Sequence, residues 1–422
     1  MEREQIYWKL FGRKLISFKK LENGEIIGTG ILNPIFEKLR LIPMLFLQAK
    51  FFRSYNLGRW NGRIVANTFA PPLGSLPQLR ALKGLIKSHI FLPRSPIAMT
   101  FAVTYRCQCK CVHCSAGKHF RNDAQELNTE EAKKLIYDSQ KLGVSIIAFT
   151  GGEPLLREDL YELISCIDKR KAIPIMFTNG ILLTDENVRK LVKAGLFSLF
   201  VSIDSPIPEE HNRLRGMPGL FETAIKGLQR MKSKGVFVGF SSYATRSATE
   251  KGMYKKLHKL ARELGIQNVI LFDGVPTGNM LKDTNEMLTE AQREEIHQFS
   301  AEIFKQKIIP PLSSQSWQNS VEGNLSGIGC LAANIQYYVS AYGDVTPCDF
   351  TPLSFGNIRN EPLKKIWKKM VKHPAYKHRS SFCRMQHPKF RHFYIDPIPE
   401  SSSLPYEIDK FPPIDYRQWN SH

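Results

Sequence analysis

Residues 97–114 read Ile97-Ala98-Met99-Thr100-Phe101-Ala102-Val103-Thr104-Tyr105-Arg106-Cys107-Gln108-Cys109-Lys110-Cys111-Val112-His113-Cys114. An apolar run of strand length passes directly into a segment holding four cysteines. Apolar runs of similar length return at 145–150, 173–178, 197–203, 236–243 and 268–272, rich in Val, Ile and Phe as strands buried on both faces should be. Helical patterns lie between them. Thr129 precedes Glu130-Glu131, Thr184 precedes Asp185-Glu186, and Thr289 with Gln292 fits a capping box. Gly143, Gly195, Gly235 and Gly265 stand where a helix must stop before the next strand. Six such units in tandem require parallel strands and right-handed crossovers, hence an α/β fold built as an open or partial (β/α)6 barrel, TIM-like in its winding. Ligands of such sheets bind at the carboxyl ends of the strands, so chemistry should cluster just after each run.

Around this body the composition shifts. The chain has 422 residues, 42% hydrophobic and 23% charged, which excludes disorder and small disulfide scaffolds. Its net charge of +20 is concentrated in two places. Residues 1–99 carry sixteen basic and five acidic residues, and residues 361–393 ten basic and one acidic. A neutral body with two basic regions implies an anionic partner or surface. Residues 1–96 read as a basic, apolar-rich helical extension, 97–304 as the barrel, 305–395 as a small domain with Cys330, Cys348 and Cys383, and 396–422 as an irregular Pro- and Ser-rich tail. No export signal or membrane-spanning run is evident; the nearest, 41–52, is interrupted by Pro43, Gln48 and Lys50. The expectation is a cytoplasmic, metal-dependent protein, peripheral at a membrane if its basic regions meet one.

The cysteine spacing narrows the metal. Structural zinc usually draws on two separated pairs of ligands, whereas these cysteines share one short segment. Cys107, Cys111 and Cys114 can wrap one corner of a cubane iron–sulfur cluster and leave its fourth iron open. Here the chain resembles the radical S-adenosylmethionine (SAM) superfamily, whose Cys-x3-Cys-x2-Cys signature these three satisfy. His113 stands where the family usually carries an aromatic near the adenine, and Cys109 departs from the common pattern. The resemblance extends to the other strand ends. In the family, Gly151-Gly152-Glu153-Pro154 after the second strand holds the amino group of SAM, the glycines admitting close backbone approach to a ligand and Glu153 taking an ammonium. Thr178-Asn179-Gly180 follows the third strand. After the fourth come Ser202 and Asp204, on one face by period-two geometry, and Arg215, suited to grip a carboxylate with two donors and implied to hold SAM, with Arg213 as the alternative. Val275-Pro276-Thr277-Gly278-Asn279 resembles an adenine-side turn.

Cys330, the Gly343–Cys348 spacing, Gly356-Asn357-Ile358, Trp367 on a basic helix and Cys383 resemble the SPASM/twitch extension of the same enzymes. Three cysteines suit one auxiliary cluster, with His387, His378, another donor or the substrate at its fourth iron. Cys166, between Ile164 and Ile167, reads as core. The resemblance implies a [4Fe–4S] cluster, SAM, a 5′-deoxyadenosyl radical, a one-electron donor such as flavodoxin or ferredoxin, and an unidentified substrate that is a peptide, lipid or small metabolite. Lys364, Lys365, Lys368, Lys369 and Lys372 share one broad helix face that an anionic membrane could meet, and no DNA-binding module is visible. The contrasting reading is a zinc-stabilised basic protein that binds nucleic acid or membrane without catalysis.

Overall fold

The computed structural model describes residues 5–10, 13–20, 26–31, 55–90, 94–314, 329–380 and 382–415. The apolar runs form parallel strands close to their expected bounds. With strands numbered along the whole chain, the first three are β1 (Gln5–Leu10), β2 (Arg13–Lys20) and β3 (Ile26–Ile31), and a short hairpin joins β4 (Gly58–Trp60) to β5 (Arg63–Val65). The six expected strands are β6 (Ala98–Thr104), β7 (Ile146–Gly151), β8 (Ile173–Thr178), β9 (Ser198–Ser202), β10 (Phe237–Ala244) and β11 (Asn268–Asp273). They lie side by side in chain order, as right-handed β-α units dictate. The C-terminal region extends the sheet at both edges. β12 (Leu312–Ser314) pairs parallel with β11, β13 (Gln336–Val339) pairs parallel with β6, and β14 (Val345–Thr346) turns back on β13.

Local signals account for the connecting helices. Thr184 caps the helix Asp185–Ala194 and Gly195, at φ +82°, ends it; the Thr289–Gln292 capping box opens the helix Glu290–Gln306. One start differs: Asn128, not Thr129, caps the helix Thr129–Leu142, its side chain accepting from the Glu131 N–H. Cys166 is a second correction. It is exposed at the end of the helix Leu160–Ser165 while Leu163, Ile164 and Ile167 fill the core.

The N-terminal extension is not helical throughout. Its one described helix is Leu76–Ile90, and β1 to β3 form an antiparallel sheet. The alternation of Ile6, Trp8 and Leu10 with Gln5, Tyr7 and Lys9 is the period-two signal that favours strands there. Nor does packing break at residue 96. Tyr55, Leu57 and Val65 share a core with Ile146, Ile173, Phe197 and Phe237, residues at the starts of β7, β8, β9 and β10. Ser198 Oγ donates to the Thr68 carbonyl at 2.7 Å, and Asn268 Nδ2 donates to Thr68 Oγ1 at 2.9 Å. Residues 55–69 therefore close the lower end of the barrel, opposite the strand ends where chemistry is expected. Segment 41–52 lies outside the described residues.

The C-terminal region closes against the other end. Arg391 Nη2 donates to the Leu281 carbonyl at 2.7 Å, Lys282 Nζ to the carbonyls of Ile395 (3.1 Å) and Asp396 (2.5 Å), and the Leu404 N–H to the Lys118 carbonyl at 2.9 Å. Among the described residues no helix is long and apolar enough to cross a membrane.

Candidate metal and cofactor site

The cysteine loop leaves β6 at Thr104 and is held through its backbone by three neighbouring turns. Lys110 and Val112 donate to the carbonyls of Arg215 and Leu214 at 3.0 and 3.1 Å. Asn279 donates from its backbone to the Cys114 carbonyl and from Nδ2 to the Cys111 carbonyl, each at 3.0 Å. Gly152 and Glu153 donate to the carbonyls of Thr104 and Arg106 at 2.7 and 2.8 Å. The glycines follow from this approach. A Cβ on Gly152 would stand 2.3 Å from the Arg106 oxygen, and one on Gly278 2.1 Å from the Cys114 oxygen. The glycines after the second strand thus admit the close approach of the cysteine loop's backbone.

The thiols differ in setting. Cys107 is exposed, Cys109 and Cys114 are half-buried and Cys111 is buried. Asn179 Nδ2 lies 3.8 Å from Cys107 Sγ and 3.4 Å from Cys109 Sγ, and Arg215 Nη1 lies 3.8 Å from Cys111 Sγ. The Cys109 thiol hydrogen-bonds to both Cys107 and Cys111. That bond, with the Arg215 charge, outweighs burial and lowers Cys111 to about 6, while burial pushes Cys114 up to about 11. Among the described residues no three His, Cys, Asp or Glu side chains stand in ready metal-binding geometry.

Two expected ligand contacts are occupied within the protein. Arg215 directs Nε and Nη2 at the Asp204 carboxylate at 2.6 and 3.0 Å, so its two-donor edge is closed and only Nη1 turns toward the cysteines. Arg213 is exposed. Burial pushes the Asp204 carboxyl up, but Arg215 and His113, whose Nε2 is 3.2 Å away, outweigh it and hold the group far below the usual carboxylate range. Glu153 is fully buried. Its Oε1 accepts from Thr178 Oγ1 (2.7 Å) and the Leu155 N–H (3.2 Å), and its Oε2 from the Asn179 N–H (2.8 Å), so it ties the second turn to the third. Burial raises its pKa to about 7 against those bonds. Pro154 opens the short turn Pro154–Leu156, and Ser202 Oγ lies 3.2 Å from Ser241 Oγ.

Sequence reasoning missed an aromatic wall. The Tyr243 ring stacks on His113 with centroids 5.3 Å apart and meets Phe350, two residues beyond Cys348, edge to face at 6.3 Å. Phe272 packs against Tyr243, Phe350 and Phe177, and Phe177 stacks on Phe200. Tyr243, Phe272, Phe177 and Phe350 are only half-buried. Alternation along β10 and β11 was the available signal, since Ser241 and Tyr243 share one face.

Burial, and after it the charges of Cys330 and Cys348, pushes the Cys383 thiol well above its usual range. Cys330 donates its N–H to the Ser380 carbonyl at 2.8 Å, and Cys348 Sγ lies 3.2 Å from Thr351 Oγ1. Burial pushes Cys348 up to about 12. The histidines considered as fourth ligands have other settings. His387 Nδ1 accepts from the Phe390 N–H at 3.4 Å with its ring stacked on Phe382, and the exposed His378 gives its carbonyl to Arg384.

Comparison with known proteins follows the same division. A family model described as the radical SAM superfamily matches residues 101–245, and one described as an iron-sulfur cluster-binding domain (SPASM) matches 330–389. The AdoMet-dependent heme synthase of Nitratidesulfovibrio vulgaris is 30% identical over 289 residues, 64% of this chain and 78% of that protein. The AdoMet-dependent heme synthase of Methanosarcina barkeri is 31% identical over 297 residues, 66% of this chain and 84% of that protein. Streptococcus suis SuiB bound to precursor peptide SuiA superposes with a TM-score of 0.54 at 16% identity, covering 84% of each chain, a likeness of fold.

Proposed function

The chain belongs to the radical SAM superfamily, and from that premise we propose that Cys107, Cys111 and Cys114 hold its SAM-binding [4Fe–4S] cluster while Gly151, Gly152, Glu153, Pro154, Asn179, Ser202, Asp204, Arg215 and His113 shape the SAM site. The enzyme's cofactors are that cluster and SAM, with a SPASM domain that binds auxiliary iron–sulfur. Bound together, they supply one-electron reductive cleavage of a carbon–sulfur bond, giving a 5′-deoxyadenosyl radical that takes hydrogen from the substrate. The reading as a zinc-stabilised, non-catalytic protein finds no support in these likenesses.

What supports the residue assignment is the way three turns fix the cysteine loop. Asn179 Nδ2 and Arg215 Nη1 are aimed at Cys107 and Cys111, where N–H donors stabilise thiolate charge. Asp204 orients His113 and neutralises Arg215. The stacked His113 and Tyr243 rings offer a flat face for an adenine. Residues 55–69 below and 388–404 above keep water from a reactive radical. We assign Cys330, Cys348 and Cys383 to the auxiliary cluster. We propose residues 97–304 as the barrel and 305–395 as the auxiliary domain, which lends β12, β13 and β14 to the barrel's sheet, with residues 55–96 as support at its lower end.

For the substrate we propose a flat conjugated macrocycle of the heme type. The single observation that carries this is the half-buried wall of Tyr243, Phe272, Phe177 and Phe350, which suits a planar π-system, and the 30–31% identical relatives are named for heme synthesis. Titration of the anaerobic holoenzyme with heme should shift the Soret band with a dissociation constant of about 10 μM or tighter, and Phe272→Ala should weaken it roughly tenfold. An unchanged Soret band, or equal binding by the variant, would exclude the macrocycle and leave a peptide as substrate. As electron donor we propose flavodoxin or ferredoxin, acidic partners for the exposed Lys364, Lys368 and Lys372. Lys369 is already paired with Asp409 at 2.6 Å, and Lys365 with Glu361 at 3.3 Å. Attachment to an anionic membrane surface would draw on the same lysines.

A further inference from the structure

Arg94 is only 3% exposed, between the barrel and the helix Leu363–Lys372. Its Nη2 donates to the carbonyls of Tyr376 and, at 3.4 Å, Val371, and its own carbonyl accepts from Trp367 Nε1 at 2.6 Å. Its Nε has no hydrogen-bond partner, and among the described residues no carboxylate pairs with it. Burial, then the Arg384 and Arg379 charges, disfavour its own charge. Arg384, 1% exposed, sits 4.9 Å over the Tyr376 ring and donates to the carbonyls of Ala375 and His378. The 371–384 turn thus holds both buried guanidiniums, carries Cys383, and accepts the Cys330 N–H at the Ser380 carbonyl at 2.8 Å.

Carbonyl dipoles alone offset a buried cation poorly, and an uncompensated one is strongly destabilising. Neutral thiols do not help. An iron–sulfur cluster bound through thiolates is a buried anion, and its potential depends on net charge and hydrogen bonding around it. We infer that Arg94 is the fixed counter-charge of the auxiliary cluster, held on the same 371–384 turn that anchors Cys330 and carries Cys383, so that it favours the cluster's more reduced, more negative state. Reduction adds one electron to the cluster and changes no bond or proton on Arg94. This rests on the assignment of Cys330, Cys348 and Cys383 as ligands.

The test is a potentiometric titration followed by electron paramagnetic resonance, on full-length chain carrying Cys107→Ala, Cys111→Ala and Cys114→Ala so that only auxiliary iron is seen. With dithionite as reductant, Arg94→Gln should move the reduction equilibrium about tenfold toward the oxidised cluster, about 59 mV for one electron. Arg94→Lys, which keeps the charge, should stay within about threefold of the parent. The Trp367 bond is to the Arg94 backbone and survives either change. Equal potentials in parent and Arg94→Gln, or equal shifts in both variants, would overturn the inference. Loss of iron from the Gln variant alone supports it, and loss from both overturns it. Absence of an auxiliary signal in the parent would defeat the ligand assignment first and the inference with it.

Discussion

Cys111→Ala, refilled with iron and sulfide without oxygen, is expected to form 5′-deoxyadenosine at least roughly a thousandfold more slowly than the parent, while Cys109→Ala stays within about tenfold. The two thiols lie two residues apart and hydrogen-bond to each other, so crude proximity to the site does not separate them. Their settings do. Cys111 is buried, faces Arg215 Nη1, and lies on a backbone whose carbonyl is held by Asn279. It also completes the three-ligand spacing with Cys107 and Cys114. Cys109 stands between Cys107 and Cys111 as a hydrogen-bond bridge, so its loss loosens the ligand-free loop without removing a ligand. The check is iron content together with 5′-deoxyadenosine formed under dithionite. Equal loss in both variants would mean that the ligand set is misassigned.

Asp204→Asn should have the largest effect on stability. The Asp204–Arg215 pair is almost wholly enclosed, with side chains 3% and 13% exposed, and His113 leans on the same carboxylate. Removing one partner of a buried pair leaves the other charge uncompensated, which costs about 3–5 kcal/mol. Unfolding followed by circular dichroism should show the midpoint falling by several degrees. Replacing Arg215 with Met in the Asp204→Asn background should recover part of that loss, because no buried charge is then left alone. A midpoint unchanged in the single variant, or effects that simply add in the double one, would show that the pair is solvent-screened. Asp204→Asn should also weaken SAM binding, since Arg215 would be freed to turn away from Cys111.

The barrel was legible because its strands are buried on both faces. Runs such as 173–178 and 197–203 are mostly apolar, with Ile, Val, Leu, Met and Phe at most positions, and capping at Thr184 and Thr289 marks two of the connecting helices. Strand ends gave the expected place of the chemistry, and there the turns carrying Cys107, Glu153, Asn179 and Asn279 do meet the cysteine loop or one another. What could not be read was which polar groups satisfy one another. Arg215 has the right chemistry for a ligand carboxylate, but Asp204, eleven residues earlier, takes its two-donor edge. Glu153 likewise faces donors on Thr178 and Asn179. Such pairings depend on positions fixed only when distant strands assemble. The same holds for the barrel's lower closure, where Tyr55 and Thr68 meet residues more than a hundred positions away. Arg94 gave no signal in a Pro-bounded basic stretch, since nothing local distinguishes a buried arginine from a solvated one.

The most direct test is the electron paramagnetic resonance spectrum of anaerobically reconstituted, dithionite-reduced protein, recorded with and without SAM. The account predicts a reduced [4Fe–4S] signal that changes when SAM binds and is absent when Cys107, Cys111 and Cys114 are all replaced by Ala. Protein that shows no such signal before or after reconstitution, or one indifferent to SAM and to those three replacements, would contradict it.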